Sequence, residues 1–266
     1  MRNTRGRDDY RKEKRKMKIC VFDTETTSLE KPFCYNVGFL LADTETGEIL
    51  HTEEFCIEQI WHNTALFASA HYADKRPFYV NEMRAKKIRL EKWGYVTQRM
   101  ARLFKAYEIE CAFAYNSSFD EKVFEFNCEW FKTINPFDNV PILDIRGYVH
   151  RFIAFDPTFQ AFCEKHQRFT ESGHYSTTAE TVFQFLSQNP DFIEDHTALS
   201  DAKIELNILQ LCEMLGAKIG TEYKTYRSIP RKVEKTLTLT DKNKQEFTFK
   251  YESIRINKDK TAIVLK

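Results

Sequence analysis

Apolar positions along the chain come first in short runs, then in alternation, then at helical spacing. Ile19, Cys20, Val21 and Phe22 form a continuous apolar run, the pattern of a central strand, and predict the first strand over 18–25. Further strands are predicted over 37–42 and 48–57. They are joined by Asp43-Thr44-Glu45-Thr46-Gly47, a hairpin turn with its glycine. Three strands with short links make an antiparallel meander. A long polar and aromatic stretch, 60–107, follows. Within it Met100, Leu103, Phe104 and Tyr107 fall at helical spacing, so its last part is an amphipathic helix.

A short apolar strand at 111–115 leads into a helix over 117–130, and 141–145 reads as a fifth strand. Helices are expected at 158–166 and 177–187. A last one starts near Ser200, taken as its N-cap, and stops at Gly216, with Ile204, Ile208, Leu211 and Leu215 on one face. Strands first, then strands alternating with helices, predict an α/β domain: a mixed five-stranded sheet covered by helices. Beyond Gly220 the pattern changes to a linker at 227–232 and three short alternating strands marked by Leu237 and Leu239, Phe247 and Phe249, and Ala262 and Val264. The expected organisation is a basic disordered arm over 1–17, a main domain over 18–220, and a linker with a small β appendage over 221–266.

At 266 residues the chain can hold one good-sized core with a small appendage. The formal net charge of +1 gives no global reason to expect a nucleic-acid partner. Charge is uneven, however: Arg2, Arg5, Arg7, Arg11, Lys12, Lys14, Arg15, Lys16 and Lys18 face only Asp8, Asp9 and Glu13. Such a run reads as a solvated arm or a loose phosphate contact. The seven cysteines are scattered without a Cys-x-x-Cys pair, which argues against a disulfide framework and for a reducing, cytoplasmic setting. Cys163, His166 and His174 lack the second close pair that a zinc site needs. No apolar run is long enough to span a bilayer, so no membrane association is expected.

The candidate chemistry sits where strands end and helices begin. Asp23 and Glu25, two apart on a strand, face the same way, and like charges held together at a core edge favour a divalent cation between them. Oxygen-only ligands suit Mg²⁺ or Mn²⁺. Solvation at the surface is the plainer reading of this pair. Asp120 stands in the first turn of a predicted helix, where Ser117-x-x-Asp120 also matches a capping box. Asp201 opens the last helix, where the helix dipole favours an acid, and His196 lies in the loop before it.

Taken in order, Asp23-Thr24-Glu25-Thr26-Thr27, then Asn116-x-x-Phe119-Asp120, then His196-x-x-x-x-Asp201 resemble the three motifs of the DEDDh (DnaQ-like) 3′→5′ exonucleases, over roughly residues 18–215. The resemblance implies a ribonuclease-H-like sheet, two Mg²⁺ or Mn²⁺ ions held by Asp23, Glu25, Asp120 and Asp201, and His196 as general base. The related tyrosine branch carries Tyr four residues before the last Asp, where Thr197 stands here; His196, five before, selects the histidine branch. Thr24, Thr26, Thr27, Asn116 and Phe119 are the candidates to hold a 3′-terminal nucleotide. Single-stranded DNA or RNA 3′ ends are the implied substrates, nucleoside monophosphates the products, and a DNA polymerase a candidate partner.

Ser28 departs from the glycine that often follows Asp-x-Glu-Thr-Thr in that family. The stretch 60–93 is also longer than compact members need. It interleaves Trp61, Tyr72, Phe78, Tyr79 and Trp93 with Lys75, Arg76, Arg84 and Arg89, which suits base stacking along a single strand or a helical cover with a basic face. The alternative function is a nucleic-acid-binding or polymerase-associated subunit that keeps the fold with little activity.

Overall fold

The computed structural model describes residues 16–231 and the backbone of four short strands beyond them. The main sheet holds β1 (Lys18–Thr26), β2 (Cys34–Asp43), β3 (Ile49–Ile57), β4 (Arg89–Glu91), β5 (Cys111–Ala114) and β6 (Ile142–Asp144), in the order β4-β3-β2-β1-β5-β6. β1, β2 and β3 are antiparallel neighbours, as the hairpin turn predicts, while β5 and β6 run parallel to β1. The sheet is six-stranded, not five-stranded. The extra member, β4, is three residues long and pairs parallel with β3, too short to show alternation.

β1 divides the core. Cys20 and Phe22 point into one apolar cluster, covered by α4 (Trp93–Tyr107) and α5 (Ser118–Phe131). Ile19 and Val21 point into the other, covered by α6 (Ile145–Phe152), α7 (Pro157–His166), α8 (Ala179–Ser187) and α9 (Ala198–Met214). The long stretch after β3 folds as the short helices α1 (Glu58–Trp61) and α2 (Thr64–Phe67), a 3-10 turn at Ala73–Lys75, and α3 (Arg76–Arg84). These pack Ile60, Trp61, Phe67 and Tyr79 against the first cluster.

α9 begins three residues earlier than predicted. Its N-cap is Thr197, whose side chain makes no capping bond, and Ser200 lies inside the helix. The first helical N–H, that of Ala198, instead donates to Asn36 Oδ1 at 2.9 Å. That cap comes from across the fold, and no local pattern reports it. Gly38 on β2 sits against the same helix start: a Cβ there would lie 2.1 Å from the backbone nitrogen of Leu199. Only glycine allows that approach.

α6, absent from the sequence reading, is capped by Asp144, which accepts from the Arg146 N–H at 2.8 Å. Residues 221–231 run along α6 and α7. Tyr226 donates its N–H to His150 Nδ1 at 2.8 Å, and the buried Ile229 bridges to Tyr175. Met17, at the end of the predicted arm, is buried in the second cluster; residues 1–15 lie outside the described residues. The C-terminal segment forms two strand pairs where three strands were expected: β7 (Lys235–Thr240) with β8 (Glu246–Tyr251), and β9 (Ile254–Ile256) with β10 (Ile263–Leu265). The residues that join the strands of each pair, 241–245 and 257–262 with 252–253 between the pairs, lie outside the described residues.

Candidate active site

The parallel strands β1, β5 and β6 end at one edge of the sheet, where open α/β sheets bind ligands. Alternation on β1 decides which helix each motif residue meets. Asp23 and Glu25 share parity with Val21 and belong to the α9 side, while Thr24 shares parity with Phe22 and belongs to the α5 side. Opposite Asp23 and Glu25 on β2 stand Gly38 and Asn36, the two residues that hold the start of α9. The same register thus fixes the acids of β1 and the helix that carries Asp201.

Asp23, Glu25, Asp120, His196 and Asp201 line one cleft. Ligand atoms of Glu25, His196 and Asp201 all lie within 4.8 Å of one another. Asp120 is buried and accepts a hydrogen bond from Thr24 Oγ1 at 2.6 Å, which ties the first motif to the second. The Ser117 side chain makes no capping bond, so the capping-box reading fails and Asp120 is left for the cleft.

Lost hydration and mutual repulsion dominate the electrostatics. Burial pushes the carboxyls of Asp120 and Asp201 up to about 7 and that of Glu25 up to about 8. Asp23 is pushed well above the carboxylate range, by lost hydration first and then by the charges of Asp120 and Glu205. The Lys75 ammonium opposes the rise at Glu25 and Asp201. His196 is held below its ordinary value, by burial first and by Lys75 second.

Of the predicted nucleotide-binding residues, Thr24, Asn116 and Phe119 line the cleft. Thr24 spends its hydroxyl on Asp120, which makes it a positioning group. Asn116 takes a left-handed φ of 60°, and its N–H donates to Asp144 Oδ1 at 2.9 Å, so Asp144 both caps α6 and fixes the cleft rim. Thr26 and Thr27 lie outside the cleft lining: their hydroxyls turn to the carbonyls of Ser28 and Lys31 at 3.3 and 3.5 Å.

Two cleft carboxylates were not foreseen, nor were the places of two residues that pack against the His196 loop. Glu194 and Glu205 add two further carboxylates. Glu194 Oε2 lies 3.9 Å from His196 Nδ1, and burial pushes its carboxyl up to about 8. Tyr72 stacks on His196 with ring centroids 4.5 Å apart and planes 13° from parallel. Lys75 donates to the carbonyl of Asp195 beside it. The last two come from the stretch after β3, whose mixed aromatic and basic composition was the one available signal.

The residues fit divalent cations. The donor set is rich in carboxylate oxygens, and Asp201 Oδ1, Glu194 Oε1 and Glu205 Oε2 are buried without a hydrogen-bond partner among the described residues. Buried charges of one sign are stable when paired with a cation.

Sheet order and flanking helices make a mixed α/β fold that is shared with solved exonuclease structures. Among solved structures, the nuclease domain of 3'hExo, a DEDDh family member bound to rAMP, superposes with a TM-score of 0.52 at 16% identity, covering 79% of this chain and 98% of that one. A 3'-exonuclease in a study of 3'-end recognition of a histone mRNA stem-loop gives 0.54 at 13% identity, with 88% and 91% covered. Exonuclease I of E. coli with a 5cy-dT13 oligonucleotide gives 0.51 at 14% identity, covering 75% of this chain and 41% of that one. No protein-family model and no curated protein sequence matches the chain. At these identities the likeness establishes a shared fold.

Proposed function

We propose that the chain is a metal-dependent 3′→5′ exonuclease that releases nucleoside monophosphates from single-stranded ends. The observation that carries this reading is the convergence of Asp23, Glu25, Asp120, Asp201 and His196, from three distant segments, in one cleft at the carboxyl edge of the sheet. A surface that only bound nucleic acid would not concentrate carboxylates, which repel phosphate.

Asp23, Glu25, Asp120 and Asp201 would hold two Mg²⁺ or Mn²⁺ ions. Bound there, the ions supply charge neutralisation for the phosphate and for the attacking and leaving oxygens. His196 supplies the base. Its Nδ1 faces Glu194, which leaves Nε2 to take a proton from the attacking water, and burial together with Lys75 favours the neutral, proton-accepting ring. The water oxygen forms the new bond to phosphorus while the bond to the 3′-oxygen of the penultimate nucleotide breaks. Products are a 5′-monophosphate and a strand shorter by one nucleotide with a 3′-hydroxyl. Phe119, at the cleft, offers a ring face for the terminal base.

A ribonucleotide and a DNA oligonucleotide appear as ligands among structures that share the fold, and the substrate proposed here is a single-stranded end of either RNA or DNA. The proposed setting is the cytoplasm, in keeping with seven cysteines that are all free and buried. Digestion of a 3′-labelled oligonucleotide with Mg²⁺, by the chain and by His196→Ala, tests the proposal. The expected result is label released as mononucleotide, with a rate about 10²-fold lower or more for the variant. An unchanged rate in His196→Ala removes His196 as base.

A further inference from the structure

We propose that Glu205 is a fifth carboxylate of the metal centre and completes, with Asp23 and Asp120, a second cation subsite beside the one formed by Glu25 and Asp201. This rests on the metal-dependent reading above and extends it to a residue outside the three motifs.

Glu205 lies on α9 one turn beyond Asp201, so both side chains leave the same face of the helix, toward β1. It is 3% exposed and lines the cleft with Asp23, Asp120 and Asp201. Its Oε2 has no hydrogen-bond partner among the described residues, while its carboxylate is favoured by the backbone N–H of Tyr115, the residue that leads from β5 toward Asp120. A buried glutamate that served packing alone would leave this oxygen with nothing to offset its lost hydration, and leucine would fill the same space without that cost.

Among the described residues one compact group of possible ligand atoms forms in the cleft, and Asp23, Asp120 and Glu205 lie outside it. Ligand atoms of Glu25 and Asp201 cluster with His196. Asp23, Asp120 and Glu205 line the same cleft beside that cluster, and of the charges acting on Glu205 that of Asp120 is the largest, with Asp201 next. Two groups of carboxylates suit two ions better than one shared pool.

Titration of the full chain with Mn²⁺ alone, free ion followed by electron paramagnetic resonance, tests the assignment against Glu205→Gln and Asp201→Asn. The chain is expected to take up two ions. Glu205→Gln should bind one with unchanged affinity and the other at least about tenfold more weakly, and Asp201→Asn should weaken the opposite one. Two ions bound by Glu205→Gln with unaltered affinities would overturn the proposal and leave the exonuclease reading standing. No Mn²⁺ bound by the unaltered chain would overturn both. Should Glu205→Gln fail to fold by its thermal melt, Glu205→Asp keeps the charge and withdraws the carboxylate by one methylene. The same selective weakening is then expected, and its absence counts against the proposal equally.

Discussion

The ring of Tyr72 lies flat on the imidazole of His196, 4.5 Å between centroids, and neighbouring Lys75 donates to the carbonyl of Asp195. The segment between β3 and β4 thus braces the loop that carries the proposed base. His196 itself sits at a left-handed φ of 46°, a conformation that a non-glycine residue holds only with support from its surroundings. Tyr72→Ala should lower kcat about tenfold, part of what a positioned general base supplies. Tyr72→Phe, which keeps the stack, should stay near the unaltered rate. Steady-state hydrolysis of a labelled oligonucleotide decides this, and equal losses in both variants would move the role to the phenol hydroxyl.

Gly38 is the contact on which α9 seats. A Cβ at this position would fall 2.1 Å from Leu199 N and 2.4 Å from the carbonyl carbon of Ala198, both backbone atoms that cannot rotate away. Gly38→Ala should therefore cost about 1–3 kcal/mol or more of stability. It should also lower activity beyond the loss of folded protein, since Asp201 and Glu205 ride on the displaced helix. Urea unfolding and the rate per folded molecule separate the two effects.

Asn36 supplies the cap that Thr197 does not. Its Oδ1 accepts from the Ala198 N–H and from the Tyr79 hydroxyl, and its Nδ2 donates to the Phe55 carbonyl at 3.1 Å. Asn36→Leu strands all three buried partners. The expected loss is about 2–4 kcal/mol in a chemical denaturation midpoint analysis, with an unchanged m-value.

Stability without metal should depend on pH in an unusual direction. Glu25 and Glu194 are raised from 4.5 to about 8, and Asp120 and Asp201 from 3.8 to about 7. Between those limits the folded chain binds more protons than the unfolded one. Their contribution is therefore fully present below about pH 4 and is lost as pH rises through about 7–8. Melts in a chelator should show a lower Tm at pH 8 than at pH 6. Excess Mn²⁺ should reverse the order, because the cation takes the place of the protons. A chelated protein more stable at pH 8 would contradict the buried, cation-demanding picture of the cleft.

Much of this architecture was legible in the chain because each of the motif acids sits where a regular element starts or stops. Asp23 and Glu25 interrupt an apolar strand, and Asp120 and Asp201 open helices, so pattern and chemistry coincide. Glu205 had no such marker: a mid-helix glutamate reads as solvated until the helix is docked, and burial is a tertiary fact. Tyr72 and Lys75 stand in a segment of short helices with no sustained period, and β4 is too short to have one. The start of α9 was misplaced for a related reason. Its cap comes from Asn36, far away in the chain, and local capping rules favour Ser200.

Carboxylates that hold cations for hydrolysis from a 3′ end have a direct signature. A single assay addresses it: an oligonucleotide labelled at its 5′ end, incubated with the chain and Mn²⁺, beside Asp23→Asn and a chelator control. The expected result is a ladder of products shortened one nucleotide at a time from the 3′ end, abolished by Asp23→Asn and by chelation. Shortening that persists in Asp23→Asn, or that proceeds with the cations removed, would contradict it.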